Sequence, residues 1–300
     1  MSVTERVHTF GERGNLVGIV TLPPGDDGSA AAGSASRPFV VILNAGLVHR
    51  VGSFRMSVEL ARRLAARGLR VLRYDQSGIG DSPSRGGAVT VEQQAVADCQ
   101  EAMSFLAERY GARTFTVGGL CTGAMNAHRI GLADERVEAL WLLDGYAYRT
   151  VHSVARHAVA TLRRPKAWPG LGRRLVVAGT GQVVSTVVGW LTPAGADLEG
   201  QESEKSRTAL FYQSWPPIPT TRADLERMLR RGVRFLFVYT GGWSSFNHVD
   251  QFDEVFPDLP GREGITVEFH PDADHTFLAL EDREAMFRSV ERFVAGSNMP

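Results

Sequence analysis

The order of elements along the chain predicts an α/β fold, a mostly parallel sheet with helices on both faces and a helical insertion late in the sheet. Two observations carry this. Short β-branched or apolar runs alternate with segments of helical spacing through the first half of the chain, the pattern of parallel strands joined by crossover helices. That alternation then stops between Gly145 and about Thr221 and resumes afterwards.

The strands begin with Leu16 to Leu22, hairpinned with Val7 to Phe10. Asp26 to Arg37 is rich in Gly, Ala and Ser and reads as an exposed loop. Phe39 to Leu43 is a buried strand that runs into a tight turn at Asn44-Ala45-Gly46. Arg55 to Arg67 carries Met56, Leu60 and Leu64 on one helical stripe, with Gly68 as the stop. Leu69 to Tyr74 is the next strand. Val91 to Tyr110 reads as a helix with Thr90 as its N-cap, Gln93 at the third helical position and Gly111 past its end. Thr114 to Val117 is a strand, Ala124 to Leu132 a helix, and Val137 to Leu143 a strand ending at Asp144. After the break come strands at Val233 to Tyr239 and Ile265 to Phe269, and a closing helix from Arg283 to Ala295. The sequence thus divides into a first core part (1–145), a helical cap (146–221) inserted into one sheet, and a second core part (222–300).

Composition narrows the function. In 300 residues there are 33 basic and 33 acidic side chains, so no net charge draws the whole surface to nucleic acid. Two cysteines, Cys99 and Cys121, make no disulfide framework. Met1 to Phe10 is charged and has no apolar leader segment, so the chain reads as cytoplasmic. Leu175 to Leu191 is uncharged over 17 residues. Its glycines, serine and threonines favour a buried or cleft-facing helix over one lying on a membrane surface, and no stable membrane insertion is expected. Gly78-Ile79-Gly80 follows a strand, but Pro83 stands where a dinucleotide fingerprint needs its third glycine. No H-E-x-x-H or paired C-x-x-C is present, and neither cofactor nor metal is expected.

The sharpest signal is Gly119-Leu120-Cys121-Thr122-Gly123, between a strand and a helix. With 32 glycines and two cysteines in 300 residues, G-x-C-x-G arises by chance with a frequency of about 0.02. A turn that exposes its central residue holds it in a strained conformation and brings neighbouring chain too close for side chains two positions away. No G-x-S-x-G competes. The start of a helix favours negative charge, so a thiol there suits thiolate chemistry, whereas Cys99 falls mid-helix and reads as structural.

A thiolate needs a base and an orienting acid. His275 follows the last strand in Pro271-Asp272-Ala273-Asp274-His275-Thr276-Phe277. His270 continues directly from that strand and reads as a surface or structural residue, and His128 as one packed against the sheet. The turn after Val233 to Tyr239 offers no acid in Thr240 to Ser245. Asp144 lies on the edge of the sheet where open α/β sheets collect their sites, with Asp250 as the alternative. As a purely structural residue, Asp144 would cap the first helix of the insertion.

Taken together, the strand order, the elbow and the late histidine resemble the α/β-hydrolase fold over nearly the whole chain. Asn44-Ala45-Gly46 stands where that fold usually carries a His-Gly turn, and Tyr74 to Ser82 resembles its loop after the fourth strand. The cysteine in the elbow is similar to the subgroup that includes exosortase-associated hydrolases and Dieckmann cyclases. The resemblance implies a nucleophile at Cys121, a catalytic histidine at His275 and, as in those cyclases, an acid at Asp144. It also implies an oxyanion hole from backbone N–H of Thr122 and of Gly46 or Leu47. The expected activity is cysteine-dependent acyl processing: hydrolysis, transfer or cyclisation of an ester or thioester. The competing expectation is a non-catalytic relative that binds an apolar ligand or a protein partner. From Gly145 to Ala196 there is no Asp or Glu, against Arg149, Arg156, Arg163, Arg164, Lys166, Arg173 and Arg174. A basic lid of this kind suits a small acyl substrate delivered on an acidic carrier protein.

Overall fold

The computed structural model describes residues 2–30, 37–86, 89–162, 215–242 and 245–296. The expected segments at Arg163–Ala196, including Leu175–Leu191, and the residues Trp243 and Ser244 lie outside these.

Among the described residues, eight strands form one sheet: β1 (Thr4–Phe10), β2 (Leu16–Leu22), β3 (Phe39–Ile42), β4 (Val71–Asp75), β5 (Phe115–Leu120), β6 (Val137–Leu143), β7 (Arg234–Thr240) and β8 (Ile265–His270). Their order across the sheet is β1-β2-β4-β3-β5-β6-β7-β8. β1 and β2 pair antiparallel, β2 joins β4 antiparallel, and every pair from β4 to β8 is parallel. The α-helices among the described residues are α1 (Met56–Ala66), α2 (Val91–Tyr110), α3 (Thr122–Ala133), α4 (Val151–Leu162), α5 (Ile218–Arg230), α6 (Gln251–Val255) and α7 (Leu280–Ala295).

Successive strand residues serve opposite faces, as the pleat requires. Val40, Ile42, Trp141, Leu143, Leu236 and Val238 pack under α1 and α7 through Leu60, Leu64, Phe287 and Val290. Val41, Leu140, Leu142, Phe235 and Phe237 face the other way and pack with Met103 and Leu106 of α2, Ala127 and Ile130 of α3, and Leu225 and Met228 of α5. Burial on both sides explains why these strands read as continuous apolar runs.

Local signals set the ends. Thr90 accepts the N–H of Gln93 while the Gln93 side chain accepts the N–H of Thr90, the reciprocal cap read in the sequence. Gly111 follows α2 in the left-handed region. Strand ends depart from expectation at β1, which begins at Thr4 rather than Val7, at β4, which spans Val71–Asp75 rather than Leu69 to Tyr74, and at β5. β5 runs on to Leu120, past the expected end at Val117, because Gly118, Gly119 and Leu120 pair with Trp141, Leu142 and Leu143 of β6. The ladder outweighs glycine's poor strand propensity.

β6 and β7 are neighbours in the sheet, so residues 144–233 leave and re-enter between adjacent strands. After β7 the chain passes close under the loop that follows β8. Gly241 N–H donates to His270 O at 2.9 Å and Gly242 N–H to Ala273 O at 3.0 Å. A Cβ on Gly241 would stand 1.8 Å from Pro271 O, and one on Gly242 2.8 Å from the amide nitrogen of His275. The glycine pair therefore sets the height of the His275 loop. The loop after β3 has its own tight geometry, with Phe54 and Arg55 both at positive φ (50° and 64°). Buried Arg283 of α7 donates to Phe54 O and also to Phe277 O and Leu278 O, joining that loop to the His275 loop.

Gly241→Ala is expected to lower stability by about 1–3 kcal/mol, the usual effect of forcing atoms into filled space. Urea denaturation of the variant against the parent measures it, and an unchanged midpoint would show that the loop is not held at this contact.

Candidate active site

β5, β6 and β7 deliver their C-terminal ends in register. Leu120 stands opposite Leu143, and Leu143 opposite Val238. Cys121 N–H then donates to Leu143 O at 2.9 Å, and Asp144 N–H to Val238 O at 2.8 Å. Each strand thus hands over one residue at the same level of the sheet edge.

Cys121 occupies the first of these positions with φ 58° and ψ −117°. That conformation is costly for a residue with a side chain and turns the thiol away from the sheet. Close packing leaves no room for a side chain at Gly123 and crowds one at Gly119. A Cβ on Gly123 would meet Asn44 O at 2.6 Å, and one on Gly119 would meet Leu43 O at 3.2 Å. Cys121 is half-buried, while Cys99 is fully buried and its thiol is pushed up to about 12, chiefly by burial.

Asp144 also has a positive φ, 44°. It does not cap a helix, since α4 begins only at Val151. Its buried carboxylate accepts the N–H of Thr240 at 2.7 Å on Oδ1 and the Thr240 hydroxyl at 2.6 Å on Oδ2. His275 Nδ1–H donates to the same Oδ2 at 2.8 Å. The ring also hydrogen-bonds the thiol of Cys121. With Nδ1 committed to Asp144, Nε2 is the nitrogen left for sulfur. Burial disfavours the charged imidazole, but its hydrogen bonds with Asp144 and Cys121 outweigh it and push the pKa of His275 up to about 9.

The structure therefore brings Cys121, His275 and Asp144 together. Asp250 is exposed and stands at the start of α6. Thr240, in the turn where the sequence offers no acid, serves Asp144. His128 is buried, with Nε2 3.2 Å from Asp224 Oδ2 and its ring edge-on to Tyr146. His270 lies 3.6 Å from Glu268.

The turn after β3 differs from expectation in one respect. Gly46, at φ 54°, does not aim its N–H into open space: it donates to the Thr122 hydroxyl oxygen at 2.6 Å. Leu47 beside it is exposed. The turn is firmly built. Val48 N–H returns to Ala45 O at 3.0 Å, and Asn44 donates to Val48 O while accepting Gln76 N–H. Arg50 binds Asp75 and Asp81, tying this loop to the one after β4. Thr122 N–H is one of the first amides of α3, which have no acceptor within a helix.

Thr240, Asn44 and the Thr122 hydroxyl went unassigned in the sequence. Only Thr240 left a trace there, as the non-acidic residue where an acid was sought. The expected basic residues Arg163, Arg164, Lys166, Arg173 and Arg174 lie outside the described residues. Among the described residues no cluster of three or more His, Cys, Asp or Glu is disposed to hold a metal ion, and no helix is long and apolar enough to cross a membrane.

Comparison with known proteins agrees with this architecture. A family model described as serine aminopeptidase, S33, matches residues 37–171. No curated protein matches the chain. Among solved structures, proline iminopeptidase from Mycobacterium smegmatis is similar with 18% identity and a TM-score of 0.54, over 97% of this chain and 98% of that chain. A hypothetical protein from Pseudomonas aeruginosa is similar with 19% identity and a TM-score of 0.54, over 98% and 94%. A cold-adapted esterase from an Arctic intertidal metagenomic library gives 15% identity and a TM-score of 0.51, over 97% and 94%. The chain has the α/β-hydrolase fold. The matching family is described by a serine, whereas the central residue of this elbow is Cys121.

The raised pKa of His275 links the site to stability. A group whose pKa is higher in the folded state contributes stability that is full below its unfolded value, about 6.5, and is lost as pH rises through its folded value, about 9. The protein is expected to lose up to about 3 kcal/mol between those limits. His275→Gln should remove most of that slope, read from urea midpoints measured across the same pH range. A parallel slope in the variant would assign the loss to other groups.

Proposed function

We propose that this protein is a cysteine-dependent acyl-processing enzyme acting on an ester or thioester through Cys121, His275 and Asp144. What supports the reading above all is the hydrogen-bonded series from the strained Cys121 through His275 to the buried Asp144.

In this reading the Cys121 thiolate attacks the carbonyl carbon. The C–S bond forms and the carbonyl π pair moves to oxygen. As the tetrahedral species collapses, C=O reforms, the bond to the leaving group breaks, and the imidazolium of His275 gives up its proton to that group. The acyl chain is left on Cys121 as a thioester. For hydrolysis or transfer, His275 removes a proton from water, an amine or an alcohol as it attacks. The new bond forms, the C–S bond breaks and the thiolate returns. Asp144 keeps Nδ1 protonated and the ring oriented throughout, with Thr240 fixing the carboxylate.

A thioester intermediate lies close in energy to a thioester substrate, and it is a better electrophile towards nitrogen and carbon than an oxygen ester. Both points favour transfer or cyclisation over ester hydrolysis. An acidic carrier protein is the proposed source of the acyl group, supported by the stretch from Gly145 to Ala196 that has seven arginines and lysines and no acid.

Intact-mass measurement after incubation with a panel of acyl thioesters tests this directly. The parent is expected to gain one acyl mass, and Cys121→Ala none. Protein that gains no mass and shows no selective alkylation at Cys121 would instead be a ligand-binding scaffold. Cys121→Ser should leave a small residual turnover, because a hydroxyl is far less acidic than a thiol. Asp144→Asn should reduce turnover by as much as about 10⁴-fold through loss of the correct tautomer, with Asp250→Asn close to the parent. The reverse ranking of the two aspartates would move the acid to Asp250.

A further inference from the structure

We propose that the side-chain hydroxyl of Thr122 is itself an oxyanion donor, polarised from behind by Gly46 N–H. The inference rests on the cysteine acylation reading and adds to it the residue that stabilises the intermediate.

Two backbone amides were expected to share the developing charge. One is that of Thr122; of the two candidates for the other, Gly46 and Leu47, Gly46 N–H is already directed at Thr122 Oγ1 at 2.6 Å. Freeing it would require the turn to rearrange, and that turn is held by the Val48-to-Ala45 bond, by both ends of the Asn44 amide and by the Arg50 ion pairs. The hydroxyl oxygen therefore spends one acceptor site on Gly46. Its own proton has no acceptor among the described residues. Thr122 is half-buried, directly follows Cys121 and opens α3.

An O–H whose oxygen accepts a hydrogen bond becomes a stronger donor, because each bond in a chain polarises the next. The β-branched side chain also restricts χ1, so the hydroxyl is held in place. When the carbonyl carbon bonded to Cys121 becomes tetrahedral, its oxygen then receives two donors from one residue, Thr122 N–H and Thr122 Oγ1–H. Gly46 acts one step removed. The proton stays on Thr122 throughout, and only charge is stabilised.

The test separates acylation, which develops an oxyanion, from alkylation, which needs the thiolate alone. p-Nitrophenyl acetate serves as the acylating probe, read by nitrophenolate release and by the acetyl mass on Cys121. Iodoacetamide is the alkylating probe. Thr122→Val, which keeps the shape and loses the hydroxyl, is expected to slow acetylation about 10²-fold, the usual effect of removing one oxyanion donor. Thr122→Ser should stay within about threefold of the parent, and alkylation should change by less than about twofold in both variants. Acetylation of Thr122→Val within threefold of the parent, or faster, would overturn the inference and make the hydroxyl a plug on Gly46. A fall in alkylation matching the fall in acetylation would overturn it too, since the hydroxyl would then serve the thiol. A parent protein that gains no acetyl mass would remove the cysteine reading and this inference with it.

Discussion

The candidate site depends on the parallel register of β5, β6 and β7. Cys121 and Asp144 are each one residue beyond a strand end, and each is anchored by its own N–H to the neighbouring strand at Leu143 O and Val238 O. Thr240 closes the same edge from β7. Because side chains alternate across a strand, a slip of one residue would send a core side chain to the wrong face. The apolar runs that forbid such a slip, Leu140 to Leu143 and Phe235 to Val238, therefore also fix the spacing of thiol and carboxylate. Packing energy is the source of the site's precision.

Buried acids elsewhere in the molecule are neutralised by arginine. Asp75 has Arg50, Asp98 has Arg85, and Glu291 has Arg63 and Arg67. Such pairing offsets the large desolvation of a buried charge. Asp144 is different: no arginine or lysine contacts it among the described residues, and its donors are Thr240 and His275. Its charge is left for the imidazole to answer, and the raised pKa of His275 is the result.

Features written in short segments were legible in the sequence. The α2 cap needs only Thr90, Gln93 and Gly111, and the elbow needs only five residues. Asp144 was found by its place at a strand end. The partners of these groups were not legible, because they come from distant chain. Thr240 reaches Asp144 across 96 residues, and Gly46 reaches Thr122 across 76. Neither contact has a local signature. The end of β5 was misjudged for a related reason: glycine's weak preference was visible, and the pairing with β6 that overrides it was not. The cap expected at 146–221 has its first helix at α4 and its last residues at the start of α5, with 163–214 outside the described residues.

Six non-glycine residues among those described have positive φ, and five of them, Phe54, Arg55, Cys121, Asp144 and Phe277, sit around this one edge. Each such residue costs on the order of 1–3 kcal/mol, against a total stability of about 5–15 kcal/mol for a typical domain. The edge is thus the least relaxed part of a molecule whose sheet is its most secure. Partial opening will begin where strain is released and little apolar surface is exposed. The geometry of this edge can then come apart while the strands remain paired, so that its integrity is governed by a local equilibrium rather than by the unfolding of the whole chain.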